Sequence, residues 1–384
     1  MSRRISFLIV GGLGCLVLFA CVAALGLAGY AYYVTALAPH TVDRIAYVDN
    51  GSNIQVVDAQ GGHHVPLTTD ASDSAQRIYM FPTWSPDSQK IAFVGLSGNR
   101  TQREGTLNVV PVVGGNSTTV FKSGLQIPFY LYWSPDGQRI GFLAQGENEM
   151  ALMLGHGAGQ EQARKLDAGS PMYWSWSPDG HTLLMHVGGS SHDSKDAHLA
   201  LLSWQDGNAA KNFSDQPATF QAPQFSPDGT TILYASTSDG DQDALFLADR
   251  MGAQPKAVMP YTGTIAFAWS PDGKKIASLV TPNDSELPMS GPITVMDADG
   301  SNSKSIVAED ALAFYWSPDG KQIAYLTILL PGQSKGCLDC NRVTGLSTPS
   351  RQQPQIQLRW KVFSLVDGQV RTLATFLPTD NFIS

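Results

Sequence analysis

Charge is scarce in this 384-residue chain. Only 15% of its residues are Asp, Glu, Lys or Arg, and the basic ones are the fewer, 25 Lys and Arg against 33 Asp and Glu, for a formal net charge of −8. A surface short of cations has no patch on which to collect phosphates, which argues against nucleic acid and anionic lipid as partners. Cysteine is scarcer still, with four: Cys15 and Cys21 in an apolar N-terminal segment, Cys337 and Cys340 in a late polar stretch. That is too few to frame a fold by disulfides, so burial must hold the core. The one Gly-x-Ser-x-Gly pentapeptide, Gly332-Gln333-Ser334-Lys335-Gly336, falls in that same polar stretch, without the strand-to-helix setting that makes it the nucleophile elbow of an α/β-hydrolase. Glycine and proline, by contrast, are plentiful at 37 and 23 residues, a composition that suits a turn-rich β protein.

One pentapeptide recurs. Trp316-Ser317-Pro318-Asp319-Gly320 has counterparts beginning at Trp84 (ending in Ser88 in place of Gly), Trp133, Trp176, Phe225 (Phe in place of Trp) and Trp269, six copies whose first positions lie 49, 43, 49, 44 and 47 residues apart. A period of this size over most of a chain marks a repeat architecture. Each copy follows a short apolar stretch, such as Ile265-Ala266-Phe267-Ala268-Trp269 or Leu312-Ala313-Phe314-Tyr315-Trp316, and precedes another, such as Lys90-Ile91-Ala92-Phe93-Val94 or Gln322-Ile323-Ala324-Tyr325-Leu326. Proline presets φ at the first corner of a turn, Asp or Ser bonds its own backbone, and Gly accepts positive φ. The pentapeptide therefore reads as a hairpin connection. A third strand follows (54–58, 245–249, 293–297, 362–366), then a fourth (64–68, 304–308, 370–375). Four antiparallel strands per ~45 residues make one blade of a propeller.

Residues 43–70 supply strands two to four of a further blade, without a motif of their own, and residues 377–384 have the length of the missing first strand. Closing the ring through that shared blade removes exposed edges. The expectation is thus an all-β, seven-bladed β-propeller of four-stranded antiparallel blades over residues 43–384. The competing count is six, with residues 43–70 as a lead-in.

Arg3 and Arg4 precede an uncharged run from Ile5 to Ala38, longer than the ~20 apolar residues that span a bilayer. Residues 1–4 read as a cytoplasmic tail, 5–30 as a transmembrane signal-anchor helix with Tyr30 at its interfacial end, and 31–42 as a linker. The positive-inside rule sends the rest outside the cytoplasm. A signal cleaved after Ala38 and a lipid anchor at Cys21 compete; the run is too long for the first, and Phe19 fits the second poorly.

The motif [Trp/Phe]-Ser-Pro-Asp-Gly followed by [Lys/Arg/Gln]-Ile-Ala-[Phe/Tyr] resembles the TolB-like, WD-related propeller family over roughly residues 43–384. The resemblance implies an extracytoplasmic interaction scaffold; the family's peptidases join their propeller to a hydrolase domain, for which a propeller over residues 43–384 is expected to leave no residues.

Each candidate for chemistry meets a plainer reading. Trp84, Trp133, Trp176, Phe225, Trp269 and Trp316 hold a fixed place before a turn and read as packing between blades. Asp87, Asp136, Asp179, Asp228, Asp272 and Asp319 read as turn residues. His186, His192, Asp193, Asp196 and His198 lack a familiar metal spacing, and Asp239, Asp241 and Asp243 begin like a calcium loop but meet Arg250 where the bidentate acid belongs. Cys337 and Cys340 sit in the longest insertion, about residues 330–355, where a local disulfide is the default outside the cell; free thiols, a metal or a redox role are the alternatives. Extra aromatics stand before the motif, Phe81, Tyr130, Tyr132, Tyr173, Trp174, Phe267, Phe314 and Tyr315, mostly as core, with some at a channel mouth. No catalytic residue, cofactor or metal site is assigned. The reading is a membrane-anchored protein- or peptide-binding scaffold, not an enzyme; the alternative is a small-ligand or metal-dependent enzyme or receptor using the propeller channel.

Overall fold

The computed structural model describes residues 44–376, apart from 59–63, 100–101, 189–196, 206–208, 214–216, 219–221, 239–241, 286, 288 and 330–356. Among the described residues every regular element is a β-strand, and no helix is long and apolar enough to cross a membrane. The expected anchor at 5–30, the closing strand at 377–384 and the cysteine pair all lie outside the described residues.

A three-stranded antiparallel sheet comes first: β1 (Arg44–Val48), β2 (Ile54–Asp58) and β3 (Val65–Pro66). It holds the strands two to four expected from residues 43–70. Four-stranded antiparallel units follow, each in simple meander order. They are β4 (Arg77–Trp84), β5 (Lys90–Gly98), β6 (Arg103–Pro111) and β7 (Thr118–Ser123); then β8 (Ile127–Trp133), β9 (Arg139–Gln145), β10 (Met150–His156) and β11 (Arg164–Ala168). The third unit is β12 (Met172–Trp176), β13 (Thr182–Val187), β14 (His198–Ser203) and β15 (Ala209–Asn212), and the fourth is β16 (Gln224–Phe225), β17 (Thr231–Ser238), β18 (Gln242–Asp249) and β19 (Lys256–Pro260). Each first strand ends on the motif's aromatic residue.

The fifth and sixth units are fused. β20 (Thr264–Trp269), β21 (Lys275–Thr281), β22 (Gly291–Asp297), β23 (Lys304–Trp316), β24 (Gln322–Leu329), β25 (Gln357–Ser364) and β26 (Val370–Phe376) form one seven-stranded sheet. This corrects the expectation of separate strands at 304–308 and 312–316. β23 pairs with β22 through its first half and with β24 through its second. Residues 304–316 contain neither Gly nor Pro to break the strand. Glu309 is also held from the sixth unit, by Tyr325 Oη at 2.9 Å and Lys361 Nζ at 2.6 Å. The strand expected at 362–366 ends sooner, at Ser364, because Gly368 N donates to Ser364 O at 2.9 Å and closes a turn that leaves Val366 exposed.

The core lies between neighbouring sheets. Ile54 and Val56 of the first sheet pack on Ile91, Phe93 and Val110 of the first unit. Ala92, Val94 and Leu107 of that unit pack in turn on Leu131, Trp133 and Phe142 of the second. Leu233 and Leu245 meet Phe267 and Trp269 in the same way. Burial of such side chains stabilises by about 1.5–3 kcal/mol each, and here each one ties a unit to the next.

Candidate functional site

The repeated turn fixes where each inner strand ends, and every letter of it is wired. In the second copy Ser134 Oγ donates to Asp136 Oδ1 at 2.5 Å and accepts from Arg139 N at 2.9 Å, while Asp136 Oδ1 takes Gln138 N at 3.0 Å and Gly137 N returns to Ser134 O at 2.9 Å. The Ser-to-Asp bond recurs at 2.6 Å for Asp87, 2.5 Å for Asp179, 2.6 Å for Asp228, 2.8 Å for Asp272 and 2.7 Å for Asp319. The serine hydroxyls of Ser226 and Ser317 hold Asp228 and Asp319 below the usual carboxylate range. The last position has positive φ in all six, including 57° at Ser88. Successive turns touch: a Cβ built on Gly180 would lie 3.4 Å from Pro135 Cδ, and one on Gly229 would lie 3.3 Å from Pro178 Cδ.

The motif tryptophans face the preceding unit. Trp133 Nε1 donates to Thr83 O and Trp316 Nε1 to Ala268 O, both at 3.2 Å. Each acceptor is the carbonyl just before the preceding motif's aromatic residue. Trp133, Trp176, Trp269 and Phe225 are buried, whereas Trp84 and Trp316 at the two ends of the series are half-buried.

The inner strands are not alike. β4, β8 and β23 each carry a β-bulge, between Met80 and Thr83, between Phe129 and Leu131, and between Ala311 and Ala313. The first two force an aromatic residue into the left-handed region, Phe81 at φ 56° and Tyr130 at φ 49°. Bulky residues avoid that conformation, and such outliers cluster where a side chain is aimed for use. β12 and β20 pair with their second strands without interruption.

Tyr130 is the centre of a ring cluster. It stands edge-on to Tyr132 at 4.9 Å and to Trp174 of the third unit at 5.2 Å, and Tyr132 and Trp174 are 5.3 Å apart. Trp174 lies over Gly141, whose built Cβ would come within 3.1 Å of the indole Nε1; of the five other motif copies, three place Ala92, Ala277 and Ala324 at this position and two place Leu184 and Leu233. Burial pushes the Tyr130 phenol up to about 12 and holds Tyr132 well above the ordinary tyrosine value, with the Tyr130 and Tyr315 phenols adding to the effect on Tyr132. Tyr315 belongs to the sixth unit, so its phenol lies within electrostatic reach of Tyr132 in the second. Phe81, Tyr130 and Tyr315 remain half-exposed, while Tyr132, Tyr173, Trp174, Phe267 and Phe314 are buried.

The chain was compared with known proteins. No protein-family profile and no curated protein matches it. Among solved structures it is similar to a prolyl endopeptidase with a TM-score of 0.56 at 11% identity, over 96% of this chain and 54% of that one, so it spans about half that protein's length. It is similar to an oligogalacturonate lyase solved in complex with manganese, TM-score 0.51 at 13% identity, over 72% of this chain and 79% of that one. A TolB structure from Agrobacterium tumefaciens gives 0.45 at 19% identity, over 70% of this chain and 94% of that one. At such identities the likeness speaks for the fold and not for the activity. The fold is a β-propeller.

Its blades separate the remaining candidates. His186 is buried in β13, its ring against Tyr173 at 5.9 Å and its Nε2 3.0 Å from Gly188 O. His198 begins β14 and points to Asp167 of the second blade, Nε2 to Oδ2 3.4 Å. The other members of that group, His192, Asp193 and Asp196, lie outside the described residues, as do Asp239 and Asp241. Asp243 accepts from Thr237 Oγ1 at 2.9 Å within its own hairpin. Among the described residues no three His, Cys, Asp or Glu side chains converge as metal ligands. What the sequence left undistinguished is which first strands are bulged; the signal for the second unit was the crowding of Phe129, Tyr130 and Tyr132 before Trp133.

Proposed function

We propose that this chain is a membrane-anchored, extracytoplasmic β-propeller that binds a protein or peptide at the bulged, aromatic mouth of its channel and performs no catalysis of its own. The observation that carries the reading is the Tyr130–Tyr132–Trp174 cluster on a strained bulge. With Tyr130 held near pKa 12 and Tyr132 above its ordinary value, both phenols are neutral at physiological pH. A neutral phenol donates and accepts hydrogen bonds but is no general base at pH 7. Rigid amphipathic rings of this kind are typical anchors of protein interfaces. The apolar run at 5–30 with Arg3 and Arg4 supports the anchor and its orientation.

Tyr130→Gly tests the site without forbidding its backbone, since glycine tolerates positive φ. Relief of strain offsets part of the lost ring contact, so the variant should stay folded. Proximity labelling around the full chain in its own membrane should then lose the partner that wild type labels. An unchanged labelled set in a folded variant excludes this site. A stoichiometric metal ion in the purified protein would favour the enzyme or receptor reading instead.

The blade count belongs to the same proposal. The sheet β1–β3 lacks a first strand among the described residues, and residues 377–384 would supply it, making a seventh blade. Deleting 377–384 is expected to lower the melting temperature of the whole domain; no change on truncation means that the ring does not close through this segment.

A further inference from the structure

Between the turns of the fourth and fifth blades lies an open cleft of about 450 Å³, lined by Asp228, Thr230, Trp269, Asp272 and Ala298 among others. One blade earlier the same place is filled. Arg250, whose N–H donates to Thr230 O at 2.9 Å, sends its guanidinium back to Asp179 of the third blade, Nη2 3.0 Å from Oδ2. In the fifth blade the residue that makes the matching backbone bond, to Lys274 O at 2.9 Å, is Ala298. Thr230 and Lys274 stand at the same offset from Phe225 and Trp269, so Ala298 is the positional counterpart of Arg250. Its methyl group is too short to reach Asp228.

One polar group is left open as a result. Asp228 Oδ1 takes Ser226 Oγ at 2.6 Å, Thr230 N at 3.0 Å and Thr230 Oγ1 at 2.9 Å, and the carboxylate has no ion pair with a described residue. Asp272 differs, because Lys274 Nζ sits 3.3 Å from its Oδ2. Trp269 is only 7% exposed and its Nε1 is buried without a hydrogen-bond partner. In Trp133 and Trp316 the same N–H bonds the carbonyl before the preceding motif's aromatic residue. For Trp269 that carbonyl belongs to Gln224, whose side chain instead clamps the fifth blade, Nε2 on Phe267 O at 3.0 Å and Oε1 accepting Trp269 N at 3.4 Å. A buried donor without a partner costs about as much as a lost hydrogen bond.

We propose that this cleft receives an arginine side chain from a partner protein, its guanidinium on the open edge of Asp228. The molecule supplies its own precedent in Arg250 on Asp179. Guanidinium suits both walls, since it pairs with carboxylates and stacks on indole faces. The net charge of −8 draws a basic partner to the surface. This site is separate from the channel mouth, and the two stand or fall independently.

The test uses the full chain in mild detergent and a fluorescein-labelled Gly-Ala-Arg-Ala-Gly peptide, followed by anisotropy, with a twin carrying neutral citrulline for arginine. The arginine peptide should bind roughly tenfold or more tightly than its twin, and less tightly as salt rises. Ala298→Arg should fill the cleft in cis, as Arg250 does in blade four, raising the melting temperature and abolishing peptide binding. Tyr130→Gly should leave this binding unchanged, which separates it from the channel site. Equal binding of the citrulline twin, full binding by Ala298→Arg, or displacement of the peptide by calcium at constant ionic strength would each overturn the proposal, the last by making the cleft a metal site.

Discussion

Replacing Trp133 by alanine is expected to cost about 3–5 kcal/mol of stability, the usual range for a large aromatic side chain removed from a core. Trp133 is 1% exposed and packs in the cluster that joins the first and second blades. Its indole N–H also satisfies Thr83 O from the neighbouring blade. The substitution therefore opens a cavity and leaves a backbone acceptor without its partner. Trp133→Phe removes the N–H and part of the ring, and should cost less. Trp84→Ala is the internal control: the same motif position, but half-buried at the end of the series, with a correspondingly smaller loss. Urea unfolding of the three variants measures the order directly. A loss at Trp84 equal to that at Trp133 would mean that the motif tryptophans act within their own turns and not between blades.

The six copies of the motif made much of this architecture legible before any coordinates. Proline, aspartate and glycine at fixed offsets specify one turn type through local chemistry alone, and the structure repeats the same hydrogen bonds in each copy. What local chemistry does not reveal is how two strands count against each other. The bulges at Phe81 and Tyr130 exist only because two residues on one strand oppose one on its partner. No propensity of phenylalanine or tyrosine announces that. The aromatic residues before each motif therefore read alike, although Phe267 and Phe314 are core and Phe81, Tyr130 and Tyr315 keep solvent contact.

The unbroken course of β23 was hidden for the opposite reason. Its neighbours elsewhere are separated by evident breakers, Gly124 after β7 and Gly263 after β19, and a separation was expected here too. The tie from Glu309 to Tyr325 and Lys361 is a contact between blades, which a repeat period cannot show. The Arg250–Asp179 pair was missed in the same way, since its two residues lie in different blades and Arg250 entered the sequence reading only as the wrong residue for a calcium loop.

Gly157→Ala should destabilise the domain by about 1–3 kcal/mol, the cost of overfilling a packed site, and the loss should shrink when Trp133 is phenylalanine. Gly157 does not have positive φ, so its backbone accepts any residue. Space alone opposes a side chain: a built Cβ would lie 2.4 Å from Trp133 Cζ3 and 3.0 Å from Cη2. Both atoms belong to the six-membered part of the indole, which a phenylalanine ring, set closer to the backbone, does not reach. The glycine and the tryptophan are thus one packing unit, a motif residue at the end of β8 and a residue just past β10. Substituted together they should couple by more than about 0.5 kcal/mol, beyond what independent sites show. A double-mutant cycle over wild type, Gly157→Ala, Trp133→Phe and the pair supplies the number. Simple additivity would place the clash elsewhere, on Gln138 O at 3.3 Å, and would remove the packing reason for glycine at this position.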